Sequence, residues 1–212
     1  MNTIPQPTVK RLCTIYQFLV ELEREGMTSI SSAELGEKVG IGSHNVRKDI
    51  SFLGGVGNCG SGYEIAKLKE KIAAHLGLKE KKLTCIVGLG RIGSALLQHA
   101  QHFPGEYQIV AGFDSNINKV ETIKTNISVF PAYQITEVVK KMRINLGIIA
   151  VPEAAAQEAA ARLIEGGIKG IVNFSATHIK TSCKDIFIRN IDITSELRIL
   201  SALIKINIDN QQ

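Results

Sequence analysis

Tryptophan is absent from this 212-residue chain, and aromatic residues make up only 5% of it, so any core must rest on aliphatic side chains. Cysteine is scarce too. Cys13, Cys59, Cys85 and Cys183 lie far apart and form no C-x-x-C pair, which excludes the spacing of a zinc site or a thioredoxin-like redox site. No run of about 20 apolar residues occurs, which excludes a membrane-spanning helix. Arg11, Glu21, Glu23 and Arg24 break up the N-terminal stretch, so no secretory h-region stands there. These absences predict a cytoplasmic protein with reduced thiols and with neither a membrane nor a metal partner. What is present suffices for one large or two small domains, with 44% hydrophobic residues to build a core. The net charge of +5 permits a nucleic-acid partner without demonstrating one, and the basic residues are not gathered in one tail.

One stretch organises the rest. Cys85-Ile86-Val87 runs into Gly88-Leu89-Gly90-Arg91-Ile92-Gly93, and an amphipathic segment with Ala95, Leu96 and Leu97 follows. This predicts a strand, a glycine turn and a helix. Gly88 would allow the tight turn, Gly90 would leave room for a pyrophosphate, and Gly93 would let the helix pack close to the strand. The phosphates would sit on free N–H groups at the helix N-terminus. Gln108 to Phe113 reads as a second strand ending at Asp114, about 20 residues past the last glycine, where a ribose hydroxyl acceptor is expected. A carboxylate there repels a 2′-phosphate, which favours NAD(H) over its phosphorylated form. The competing reading is an α/β turn whose glycines serve packing alone.

Ahead of this stretch the pattern is helical. Val9, Leu12, Ile15, Tyr16, Leu19, Val20 and Leu22 line one face of a helix beginning near Thr8 and ending at Gly26. Ser31 and Glu34 form a capping box that opens a short helix ending at Gly40. Ser43 is the next N-cap candidate. A third helix from His44 to Leu53 turns Val46, Ile50 and Leu53 inward and His44, Asn45, Arg47, Lys48 and Ser51 outward. This is helix-turn-helix order, and the outward face can serve a major groove, where Arg and Asn read base edges and Lys and Ser hold phosphates. An ordinary solvated helix face is the alternative. Gly54 to Tyr63 holds five glycines and reads as a hairpin wing whose Gly60, Gly62 and Tyr63 approach the DNA, or else as a flexible linker. A fourth helix from Glu64 to Leu78 follows. The charged joint Lys79-Glu80-Lys81-Lys82 marks a boundary between residues 1–80 and the next domain.

From residue 81 to 191 strands and helices alternate. Residues 115–128 are polar with little periodicity, Ile135 to Met142 reads as a helix, and Leu146 to Val151 as a buried strand stopped by Pro152. Glu153 to Glu165 is an alanine-rich helix, and Gly170 to Phe174 and Ile186 to Asn190 are further strands. Such alternation predicts an α/β, doubly wound parallel sheet, with Gly88, Asp114, Pro152 and Asn173 sharing one crevice at the strand ends. In residues 192–212, Thr194 or Ser195 can cap a helix through Leu197, Leu200, Leu203 and Ile204, which is too apolar for a solvated tail.

A winged helix-turn-helix followed by a Rossmann domain and a C-terminal helix resembles the Rex family of bacterial redox-sensing transcriptional repressors. Carrying stretches are Val9-Lys10-Arg11-Leu12, Val46-Arg47-Lys48-Asp49, the Gly54 to Tyr63 wing, Val151-Pro152-Glu153 continuing to Asn173-Phe174, and Arg189-Asn190-Ile191-Asp192. The resemblance implies a homodimer on palindromic double-stranded operator DNA that is released when NADH binds and the subunits rotate. It implies a C-terminal helix exchanged between subunits. It adds Lys10 to the DNA contacts and Val151 and Phe174 to the dinucleotide site. It couples the domains through Arg11 and Asp192. The chain departs from the family at His99, where a tyrosine partnering the Asp192 position is usual, and a histidine there would make that pairing depend on pH. Asn58, Cys59 and Ser61 replace basic and aromatic wing residues, and Ser175-Ala176 replaces Ala-Pro. These wing changes predict weaker or differently targeted DNA binding, as in a divergent paralogue. His99, His102 and His178 are the only histidines from residue 81 onward and no separate substrate domain accompanies the cofactor fold, so an enzyme is not expected. A dehydrogenase, or a CoA- or nucleotide-binding module without DNA binding, are the alternatives.

Overall fold

A computed structural model describes residues 4–54 and 62–209. It divides into two compact units, Met1–Glu80 and Lys81–Gln212.

In the first unit, α1 (Gln6–Arg24) starts behind Pro5, with Pro7 in its first turn, where a missing N–H costs nothing. Leu12, Ile15, Leu19 and Leu22 form its buried stripe. A two-residue strand β1 (Ser29–Ile30) pairs antiparallel with β2 (Tyr63–Glu64), which joins the two ends of the helix-turn-helix segment. Between them, α2 (Ser32–Val39) opens on the predicted capping box. Ser31 Oγ accepts from the Glu34 N–H at 3.1 Å, and the Glu34 carboxylate accepts from the Ser31 N–H at 2.8 Å. The hydroxyl and backbone of Ser31 hold the Glu34 carboxyl below its ordinary range. Helix α3 (Ser43–Ser51) differs from expectation at its start: Gly42 is the N-cap, and Ser43 is the first helical residue with no side-chain cap bond. Helix α4 (Ile65–Leu76) closes a core in which Leu35, Val46, Ile50 and Leu68 meet the α1 stripe.

The second unit is built on β3 (Lys82–Val87), β4 (Tyr107–Asp114), β5 (Ser128–Pro131), β6 (Leu146–Ile149), β7 (Gly170–Asn173) and β8 (Phe187–Asn190). They form one parallel sheet in the order β5-β4-β3-β6-β7-β8. The chain moves outward from β3 on one side and restarts at β6 on the other, so the switch point lies at the carboxyl ends of β3 and β6. Helices α5 (Arg91–Gln98), α6 (Ile117–Thr122), α7 (Ile135–Met142), α8 (Glu153–Glu165) and α9 (Ile193–Asp209) complete the unit. Alternate residues of β3 serve opposite faces. Cys85 and Val87 pack with α7 and α8, while Ile86 packs with Leu89 and Leu97 of the α5 side. Burial pushes the Cys85 thiol up to about 12, so it serves as a small core residue rather than a nucleophile.

The segment 115–128, read from sequence as aperiodic, contains α6 and leads into β5. Asn116 caps the short helix, its Oδ1 accepting from the Asn118 N–H at 3.0 Å. Elements of six and four residues are too short to display a period. At the C-terminus, Asp192 rather than Thr194 or Ser195 caps α9, its Oδ1 accepting from the Ser195 N–H at 3.0 Å. None of the α9 side chains is buried, and Ile193, Leu197, Leu200, Leu203 and Ile204 are each more than half exposed.

Candidate functional site

The glycine turn occupies the switch point. Gly88 takes φ +91°, and a Cβ there would lie 2.5 Å from Val151 Cγ1 and 2.7 Å from the Ala150 carbonyl oxygen. A Cβ on Gly93 would overlap the Gly88 carbonyl oxygen, so α5 touches the turn backbone to backbone. A Cβ on Gly90 would meet nothing within 4 Å. Two of the three glycines are therefore required by the protein's own packing, whereas Gly90 faces open space, as an approaching ligand would need. The first turn of α5 also leaves N–H groups without intrahelical partners.

A cavity of about 580 Å³ opens at this point. Gly88, Gly90, Asp114, Val151 and Pro152 line it together with Lys119, Tyr133 and Arg162. Asp114 is buried at the end of β4. Its Oδ2 accepts from the Leu89 N–H at 2.8 Å and its Oδ1 from the Asn116 N–H at 2.8 Å. Lys119 Nζ stands 3.7 Å from Asp114 Oδ2 and donates to the Leu89 carbonyl at 3.3 Å. Ile117 and Tyr133 are exposed at the rim. Arg162 donates to the Ala132 carbonyl at 2.9 Å and to Glu158 at 2.6 Å. Lys119, Tyr133 and Arg162 carry no sequence signal of this role, because each stands apart from the glycine motif. The one local signal was Asn116, a capping residue three positions before Lys119.

Two residues expected in the crevice, Asn173 and Phe174, do not line this cavity. Asn173 is fully buried, and its side chain bonds Ser175, Thr177 and Asn190, so it shapes the β7 exit instead of lining the cavity. Phe174 packs against the opposite face of the sheet. Arg91 and Ile92 stand exposed on the first turn of α5. His99 lies about 12 Å along that helix from the turn. It is exposed, its ring centroid is 5.5 Å from that of His102, and no described hydrogen bond joins it to Asp192. A larger hollow of about 1120 Å³, between the end of α5 and residues 123–127, contains none of the glycine motif.

In the first unit, His44, Asn45, Arg47, Lys48 and Ser51 are exposed on α3, with Ser43 partly so and Lys10 exposed on α1. Arg47 donates to Ser32 Oγ at 2.9 Å, which holds its guanidinium over the start of α2. The inward side of α3 holds a polar residue that the apolar pattern missed. Asp49 is 1% exposed and accepts from Thr8 Oγ at 3.0 Å, Arg11 Nε at 2.5 Å and Arg11 Nη2 at 2.7 Å. Arg11, expected to couple the domains, is thus committed to Asp49 within its own unit, and that carboxylate holds the guanidinium pKa above its ordinary value. Two residues expected in the wing stand elsewhere. Tyr63 is a buried core residue, and Gly62, at φ +79°, packs against the Ile30 carbonyl. Gly60, Asn58, Cys59 and Ser61 lie outside the described residues. Among the described residues no group of three or more His, Cys, Asp or Glu could hold a metal ion, and no helix is long and apolar enough to cross a membrane.

A helix-turn-helix unit joined to a doubly wound sheet with a glycine-turn cavity is the build of a ligand-responsive transcription regulator. Residues 3–51 match the family described as putative DNA-binding protein N-terminus, and residues 79–177 match the family described as CoA binding domain. The redox-sensing transcriptional repressor Rex of Carboxydothermus hydrogenoformans is 36% identical over 198 residues, covering 93% of this chain and 95% of that protein. RSP, a Rex-family repressor solved with beta-NAD+ and operator DNA, matches at a TM-score of 0.87 and 26% identity over 100% of this chain and 97% of its own. Its complex with beta-NADH matches at 0.86 and 25%, covering 100% and 99%. The chain belongs to the Rex family of redox-sensing transcriptional repressors.

Proposed function

We propose that this protein is a repressor whose hold on DNA is set by NADH. As a homodimer it binds a palindromic operator through α3, with Arg47 and Asn45 reading bases and Lys10, Lys48 and Ser51 holding phosphates. It lets go when the cavity at Gly88–Gly93 binds NADH. The open space at Gly90 beside a buried Asp114 carries the nucleotide half of this reading. It supports a reading in which pyrophosphate meets the N-terminus of α5 and a ribose hydroxyl meets the Asp114 carboxylate, which disfavours a 2′-phosphate. The solved RSP complexes support the same pairing of ligand and DNA.

The control is thermodynamic linkage. NADH must bind the DNA-incompetent dimer more tightly than the competent one, and a difference of about 1–3 kcal/mol shifts operator affinity several-fold to a hundred-fold. The exposed apolar residues of α9 support a helix exchanged between subunits, and the pairing of His99 with Asp192 is assigned to that dimer. NADH serves as signal rather than reagent, so no catalytic residue is assigned, and a DNA-bound regulator works in the cytoplasm.

Fluorescence anisotropy on a panel of palindromic duplexes tests this, with NADH, NAD+ or CoA added. Binding that NADH reverses and CoA leaves alone is expected. Failure to bind any duplex while still binding NADH would overturn it in favour of a nucleotide-binding module.

A further inference from the structure

Leu89 stands between the two glycines that shape the cavity, and every part of it is held. Its side chain is buried under the sheet with Ile86 and Leu97. Its N–H donates to Asp114 Oδ2 at 2.8 Å. Its carbonyl oxygen accepts from Ser94 Oγ at 2.7 Å and from Lys119 Nζ at 3.3 Å. Lys119 closes the ring by standing 3.7 Å from the same Asp114 oxygen. It is placed for this by α6, whose start is fixed by Asn116 donating its N–H to Asp114 Oδ1 at 2.8 Å.

We infer that Lys119 is a positioning residue that holds the Gly88–Gly90 turn in its phosphate-receiving form, by clamping the Leu89 carbonyl while sharing Asp114. The inference rests on the nucleotide reading of this cavity and adds a residue to it. A carbonyl oxygen swung toward the cavity would repel an entering phosphate. Lys119 and Ser94 keep that oxygen turned away, which leaves the N–H groups at the start of α5 as the surface a phosphate meets. Lys119 also offsets the Asp114 charge, so the anionic ligand approaches a carboxylate that is already partnered.

The prediction separates ligands by their phosphates. Adenosine would use the Asp114 end alone, whereas ADP and NADH must also occupy the turn. Lys119→Met keeps the aliphatic stem and removes the cation. Calorimetric titration should show ADP and NADH affinity falling about tenfold, the size of one charge-assisted hydrogen bond in a half-exposed setting. Adenosine affinity should stay as in the parent protein, and Lys119→Arg should restore most of the loss. Unchanged ADP affinity in Lys119→Met, or an equal loss for adenosine, overturns the role. A parent protein that binds ADP but not NADH would sink the dinucleotide reading while the comparison on ADP still decides this one. A parent that binds neither sinks both.

Discussion

Replacing Arg11 by Met tests how the recognition helix is held. The carboxylate of Asp49, on α3 between Lys48 and Ile50, is almost completely buried, and two of its three hydrogen bonds come from Arg11. Met keeps much of the stem and removes the charge, leaving only the Thr8 hydroxyl. Breaking a fully buried pair from one side costs about 3–5 kcal/mol. The Arg11 side chain is 34% exposed, so water can partly replace it, and about 2 kcal/mol is the better figure. In a unit of this size that lowers the melting temperature by roughly 8–16 °C. Calorimetry resolves this as an early transition, and anisotropy should show weaker operator binding with NADH affinity retained. Arg11→Met combined with Asp49→Leu should recover most of the stability, because the orphaned charge is gone. A single variant that melts within about 2 °C of the parent, or a double variant that melts lower still, would refute this account of α3.

Three further substitutions have defined outcomes. Gly90→Ala should leave the melting temperature unchanged and cut NADH affinity at least tenfold, whereas Gly93→Ala should lose about 1–3 kcal/mol of stability, because its Cβ meets backbone; paired thermal melts and titrations check both. The Glu34 carboxyl is held below its ordinary range by Ser31, so its contribution is present above that range and disappears as pH falls through the lowered value; comparing the parent with Glu34→Gln across pH 2–6 should show the difference shrinking toward the acid end.

How far the sequence could be read depended on the range of each interaction. The Ser31–Glu34 box and the glycine turn are contiguous and set by backbone demands, so both were legible residue by residue. The long helices and β3, β4, β6 and β7 announced themselves by period or by apolar runs. The inward turn of Asp49 was hidden, since its partner Arg11 lies 38 positions away and a polar residue gives no sign of burial. Tyr63 sat in a glycine-rich setting that suggested a wing, yet its pairing with Ile30 brings it into the core. Asn173 looked like a ligand residue at a strand end, and only the bonds to Ser175, Thr177 and Asn190 reveal its structural use. Lys119 belonged to an element too short to recognise.

The bare apolar side of α9 has a consequence for regulation. If its cover comes from a second copy, folding and association are one equilibrium, and apparent stability rises with protein concentration. A cell holding few copies would then hold fewer competent repressors than its chain count suggests. Abundance would enter the response alongside the redox signal, and a chain that found no mate would present its last helix to chaperones and proteases.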